Sequence, residues 1–136
     1  MRVCVLGSGG WGTALALVLL ENGHDVSLWS FSEEEYASIA AHRENPMLKG
    51  VPLPETLRLT YDMNAAADCD VVVLATPSFA VRTTARKLRD IIKPGTVVVS
   101  VAKGIEDGTS KRLSEAVGEE LDASCPVVVL CGLLIF

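Results

Sequence analysis

What this chain lacks narrows its function before any motif is read. It holds no block of lysine or arginine, and 12 basic residues stand against 17 acidic ones for a net charge of −5, which argues against a nucleic-acid surface. It offers no membrane segment of the kind a bilayer requires, because the apolar stretch 13–20 is too short to span. The start of the chain carries neither a basic n-region nor a cleavage site, so a cytoplasmic protein is expected. Histidine is limited to His24 and His42, and the four cysteines, Cys4, Cys69, Cys125 and Cys131, have no C-x-x-C spacing. Neither a metal centre nor a disulfide scaffold follows from such a set, and Cys4 and Cys131, inside apolar runs, read as small core hydrophobes.

What is present is the balance of one globular domain: 136 residues, 49% hydrophobic and 21% charged, enough to bury a core. Its most informative stretch is Gly7-Ser8-Gly9-Gly10-Trp11-Gly12. A strand-like run, Val3-Cys4-Val5-Leu6, leads into it and the apolar residues 13–20 continue it as a helix. In that strand–turn–helix setting Gly7 allows the tight turn, Gly9 lets backbone approach a pyrophosphate, and Gly12 lets helix pack on strand. The helix N-terminus then offers unpaired N–H groups and a favourable dipole to an anion.

The remaining chain alternates between the two periodicities. Gly23 closes the first helix. Val26-Ser27-Leu28-Trp29 is a second strand, and Ser32 with Glu35 forms a capping box for a helix reaching about His42, with Glu33 and Glu34 complementing its dipole. Residues 43–55 carry Asn45-Pro46, Lys49-Gly50 and Val51-Pro52-Leu53-Pro54, the signals of a long loop. A short strand over 57–61 precedes an alanine-rich helix over 62–68 capped by Asp62. The β-branched runs at 71–75 and 97–101 predict strands buried on both faces. Helices are expected from about Phe79 to Leu88 or Ile91 and over 110–121, and a sixth strand over 126–131 ends at Gly132.

Such alternation implies a doubly wound α/β domain, with a mostly parallel six-stranded sheet and helices on both faces. Ligands of these sheets bind outside the carboxyl ends of the strands. The glycine turn, residues 29–32, Thr76-Pro77-Ser78, Lys103-Gly104 and Gly132 all fall on that edge.

Residues 7–16, the segment from Asn45 to Leu53-Pro54, Ala75-Thr76-Pro77-Ser78 and Lys103-Gly104-Ile105-Glu106 resemble, in order and spacing, the NAD(P)-dependent glycerol-3-phosphate dehydrogenases. The resemblance covers residues 1–132 and implies a Rossmann-type dinucleotide-binding domain over that span. It implies reversible hydride transfer between a nicotinamide cofactor and dihydroxyacetone phosphate, giving sn-glycerol 3-phosphate for phospholipid synthesis. By the same resemblance Gly10 and Trp11 contact the cofactor, Phe31 sits beside the adenosine, and Lys103 lies between nicotinamide and substrate. Gly7, Gly9, Gly12, Pro77 and Gly132 complete the implied cofactor set. A lysine suits that place, since hydride addition to a ketone builds negative charge on oxygen that an ammonium stabilises or protonates.

The chain departs from the family pattern in three ways. It stops before the helical domain that supplies a second lysine and the substrate's phosphate pocket, so weak or absent cofactor binding and no meaningful turnover are expected of it alone. It reads Leu133-Leu134-Ile135-Phe136 after Gly132, an apolar tail over 133–136 that is a candidate for self-association or for docking a separate chain. Phe31 stands where the family often has an arginine, which favours NAD over NADP, with Ser30, Ser32 or Glu33 left to reach the ribose. The phosphorylated substrate would need the missing domain. A stand-alone dinucleotide-binding or sensing module is the alternative to a dehydrogenase half.

Overall fold

The computed structural model describes residues 1–130, so the expectations for Cys131, Gly132 and the tail 133–136 lie outside the described residues. Six parallel strands, β1 (Arg2–Leu6), β2 (Asp25–Trp29), β3 (Arg58–Thr60), β4 (Val71–Leu74), β5 (Val97–Ser100) and β6 (Val127–Val129), lie in the order β3-β2-β1-β4-β5-β6. The order reverses at β1, which pairs with β2 on one side and β4 on the other, with Leu6 opposite Trp29 and Leu74. The expected mostly parallel sheet is therefore all parallel, and its switch point falls where the glycine turn begins.

Strand alternation divides the core into two layers. Cys4 and Leu6 join Val72, Leu74, Val81, Leu88 and Val117 on one face, while Val3 and Val5 join Ala16, Val26, Leu28 and Ile39 on the other. The uninterrupted β-branched runs thus serve both faces at once, as a central parallel strand must. Cys4 has no exposure, and burial, followed by the proximity of Cys69, pushes its thiol up to about 12. It packs as a small hydrophobe.

Helix α1 (Gly10–Glu21) and helix α2 (Glu33–His42) follow β1 and β2. α1 ends as expected at Gly23, whose φ of +86° lets the Gly23 and His24 N–H groups donate back to the Leu20 and Leu19 carbonyls. Ser32 caps α2 by accepting from the Glu35 N–H at 3.1 Å, and the Glu35 carboxylate reaches back to the Phe31 N–H at 3.2 Å, one residue before the cap itself.

Three helical expectations are corrected. Residues 62–68 form a 3-10 turn, Met63–Ala66, in place of an α-helix: Asp62 accepts from the Asn64 N–H at 2.9 Å and tightens the turn. A further 3-10 turn, Ser78–Ala80, precedes helix α3 (Val81–Leu88), since Pro77 sets an extended entry. Helix α4 (Leu113–Glu120) starts later than 110 because residues 105–112 close on themselves, with Ile105 bridged to Arg112 and Ser110 at φ +57°. Among the described residues no helix is long and apolar enough to cross a membrane.

Candidate functional site at the carboxyl edge of the sheet

β1, β2, β4 and β5 each end by handing one more ladder bond to a neighbouring strand. The Gly7 N–H donates to Trp29 at 3.0 Å, Ala75 to Leu6 at 2.8 Å, Ser30 to Thr60 at 2.8 Å and Val101 to Leu74 at 3.1 Å. The loops that follow consequently leave from one level. Between them lies a cleft of about 490 Å³ formed by the turn 7–12, Trp29, Phe31, Glu35, residues 75–77, Phe79 and Ala80. Gly7, Gly9, Gly10, Trp11, Gly12, Phe31 and Pro77 are thus brought together as expected. Lys103 is exposed on the loop after β5 and is not part of the cleft wall, and Gly132 lies outside the described residues.

The glycines differ in what holds them. Gly7 has φ +124°, and a Cβ there would run into the Ala75 carbonyl. At Gly12 a Cβ would land on the Gly7 carbonyl oxygen and 3.2 Å from the Ala75 Cβ. These two positions are fixed by the fold, where β1, α1 and the end of β4 meet. Gly9 has φ −70° and open space where its Cβ would stand, so the fold leaves it free. Its freedom faces the cleft.

The N-terminus of α1 is bare. Gly9 is the cap residue with no side-chain cap bond, the first turn holds no acidic residue, and the first helical bond runs from the Thr13 N–H to Gly9 at 3.0 Å. The N–H groups of residues 10–12 are left for an anion, aided by the dipole. Trp29 Nε1 and Thr76 Oγ1, both at the edge of the cleft, and Ser100 Oγ, at the end of β5, are buried without a hydrogen-bond partner among the described residues. Unpaired buried polar atoms are costly, and here they collect at the carboxyl edge. These features fit a dinucleotide: a cradle for pyrophosphate, open space at Gly9 and an aromatic wall of Trp29 and Phe31, whose ring centroids are 6.2 Å apart edge-to-face.

Of the residues expected to reach the ribose, Ser30, Ser32 and Glu33, none lines the cleft. Ser30 is buried and donates to Ser8 Oγ at 2.9 Å, behind the turn. Glu35, and not Glu33, joins the cleft wall, and its carboxylate accepts from the Phe31 N–H. A carboxylate used in a helix cap could have been placed there from the spacing, because the third residue after the cap points back past it.

Sequence reasoning also missed the bonding role of Asn45, read as a turn signal and as the start of a family-like segment. It is 1% exposed, and its Nδ2 donates to the Ser8 carbonyl and to Thr13 Oγ1, both at 2.7 Å, while its Oδ1 accepts from the Met47 N–H at 2.9 Å. It pins the long loop under the glycine turn. Arg43 ties the other side of that loop, donating to the carbonyls of Leu53, Pro54 and Leu57. The loop is a strut for the site.

A parallel sheet that reverses order at a glycine turn, with a bare helix end on the cleft, defines a dinucleotide-binding domain. Sequence comparison makes this specific: residues 2–133 match the model of the NAD-dependent glycerol-3-phosphate dehydrogenase N-terminus, and the chain belongs to that family. It is 42% identical over 135 residues to the glycerol-3-phosphate dehydrogenase [NAD(P)+] of Fusobacterium nucleatum, covering 97% of this chain and 40% of that protein. To the enzyme of the same name from Desulfitobacterium hafniense it is 45% identical over 132 residues, covering 96% of this chain and 37% of the other. The crystal structure of glycerol-3-phosphate dehydrogenase from Coxiella burnetii superposes with a TM-score of 0.86 at 33% identity, covering 94% of this chain and 39% of that one. The chain therefore spans about two fifths of the length of these relatives.

Replacing Asn45 by Ala removes both donors that hold the turn. The Ser8 carbonyl and Thr13 hydroxyl are then buried unpaired, and urea denaturation should show a loss of about 1–3 kcal/mol. An unchanged unfolding midpoint would refute the strut.

Proposed function

We propose that this chain is the nucleotide-binding half of a glycerol-3-phosphate dehydrogenase, serving reversible hydride transfer between NAD(P)H and dihydroxyacetone phosphate to give sn-glycerol 3-phosphate. The observation that carries the reading is the uncapped, carboxylate-free start of α1 opening on the cleft, with no side chain at Gly9. A bound nicotinamide dinucleotide supplies or accepts the hydride. The backbone of residues 10–12 binds its pyrophosphate, Gly7 and Gly12 hold that backbone in place, and Phe31 and Pro77 flank the adenosine. Lys103, on the loop after β5, is the group whose ammonium stabilises or protonates the oxygen that gains charge.

Cofactor preference follows from the far end of the cleft. Phe31 is 72% exposed and supplies no positive charge for a 2′-phosphate, while Glu35 places a carboxylate in the cleft wall. NAD is the better fit.

Two glycines separate fold from ligand. Gly12→Ala should cost about 1–3 kcal/mol of stability in urea, since α1 must move off the Gly7 carbonyl. Gly9→Val should cost about 1 kcal/mol or less, because its backbone is already extended, yet weaken NADH binding in a fluorescence titration by about tenfold or more. A Gly9→Val protein that binds NADH like the parent would remove the pyrophosphate from this turn. Independently, Phe31→Arg should raise the NADPH-to-NADH affinity ratio by about fivefold or more, through a charge-assisted contact to the 2′-phosphate. A constant ratio would place Phe31 away from the ribose.

A further inference from the structure

The glutamate that closes the Lys103-Gly104-Ile105-Glu106 element has no part in the cleft, yet its carboxylate accepts three hydrogen bonds. Its carboxylate receives a two-pronged contact from Arg82 of α3, Nε to Oε2 at 2.6 Å and Nη2 to Oε1 at 2.9 Å, and a bond from Thr109 Oγ1 at 2.7 Å. The side chains of Glu106 and Arg82 are 16% and 21% exposed. The remaining Arg82 nitrogen, Nη1, reaches Glu119 and Glu120 of α4, both at 2.9 Å, and Arg86 reaches Glu120 at 3.2 Å. Lys111 also pairs with Glu119. The Arg82 fork and the Thr109 hydroxyl hold the Glu106 carboxyl down at about 2, so it is charged at neutral pH.

The backbone of Glu106 is equally engaged. Its N–H donates to the Lys111 carbonyl at 2.8 Å and its carbonyl accepts from the Ser110 N–H at 3.1 Å, closing the neck of the loop 106–111. On the other side of Lys103 the last sheet bond is that of the Val101 N–H to Leu74. Lys103 therefore hangs on a short span fixed at Val101 by the sheet and at Glu106 by Arg82. Gly104, within that span at φ +109°, gives it no stiffness of its own.

We propose that Glu106, through its two-pronged bond to Arg82, is the positioning residue for Lys103. The pair ties the lysine loop to α3, whose leading turn carries Phe79 and Ala80 into the cleft wall, so one rigid element sets both the cofactor wall and the lysine. Two parallel N–H···O bonds fix angle as well as distance, which a single lysine contact would not. The inference rests on the role given to Lys103 above only for its catalytic meaning. The anchoring itself is independent of it.

The test uses the 136-residue chain and the lysine-specific protease that cuts after Lys103, with cleavage after Lys49, in the loop beneath the glycine turn, as the internal reference. Glu106→Gln and Arg82→Lys should each raise cleavage after Lys103, relative to Lys49, by about tenfold, since cutting follows the population of the opened loop. Arg86→Gln, which removes one of the two α3 contacts of Glu120 without touching Glu106, should leave the ratio unchanged. Unchanged ratios in both first variants, or an equal rise in Arg86→Gln, would overturn the proposal. A second readout follows position and not stability. In protein whose lysines carry 13C-methyl groups, NADH should shift the Lys103 resonance, assigned with Lys103→Arg. In Glu106→Gln that shift should fall by about half or more while NADH affinity stays within about threefold. A full shift in Glu106→Gln would overturn positioning even if the loop opens. Binding of NADH by the parent chain too weak to shift Lys103 would bear on the proposed function alone, and the cleavage ratios would still decide the anchor.

Discussion

The approach of α1 to the Gly7 carbonyl is the constraint from which the rest of the molecule follows. No side chain fits at Gly12, because its Cβ would occupy the position of that oxygen, and none fits at Gly7, because its Cβ would meet Ala75. These contacts bring the first helix, the first strand and the end of β4 within backbone distance. Once they meet, the start of α1 must face the space above the sheet where strand order reverses. Ser30 and Asn45 then brace the turn from behind through Ser8 and Thr13, so the cradle is rigid before any ligand arrives.

The starts of α1 and α2 show how local chemistry decides which helix end is left for a ligand. α2 is saturated: Ser32 caps it, and Glu33, Glu34 and Glu35 answer its dipole. α1 has none of these, and its cap is a glycine. Both helices follow strands of the same sheet and start at the same edge. Only the first has N–H groups to spare, and the carboxylates of the second stand where they disfavour a further negative charge.

Much of this was legible from residue order. The β-branched runs at 71–75 and 97–101 marked central strands, and the glycine spacing marked the turn, because each needs only neighbours in sequence to act. Elements that failed did so where a bond outside the expected helix outbid local propensity. Asp62 tightened an alanine-rich segment into a 3-10 turn, and the neck closed by Glu106 and Lys111 delayed α4. Contacts across long separations left no local trace: Asn45 lies 37 residues from Ser8, and Arg82 lies 24 from Glu106. The turn-forming character of Asn45-Pro46 was visible. Its buried donors were not.

The central claim is that residues 7–12 cradle a dinucleotide at the bare start of α1. A 1H–15N titration of the chain with NADH addresses it directly by reporting on each backbone N–H separately. The account predicts that the largest shifts fall on Gly9, Gly10, Trp11 and Gly12, followed by Phe31 and Thr76 on the cleft wall. Saturable shifts concentrated elsewhere, with the amides of 9–12 unmoved, would contradict it.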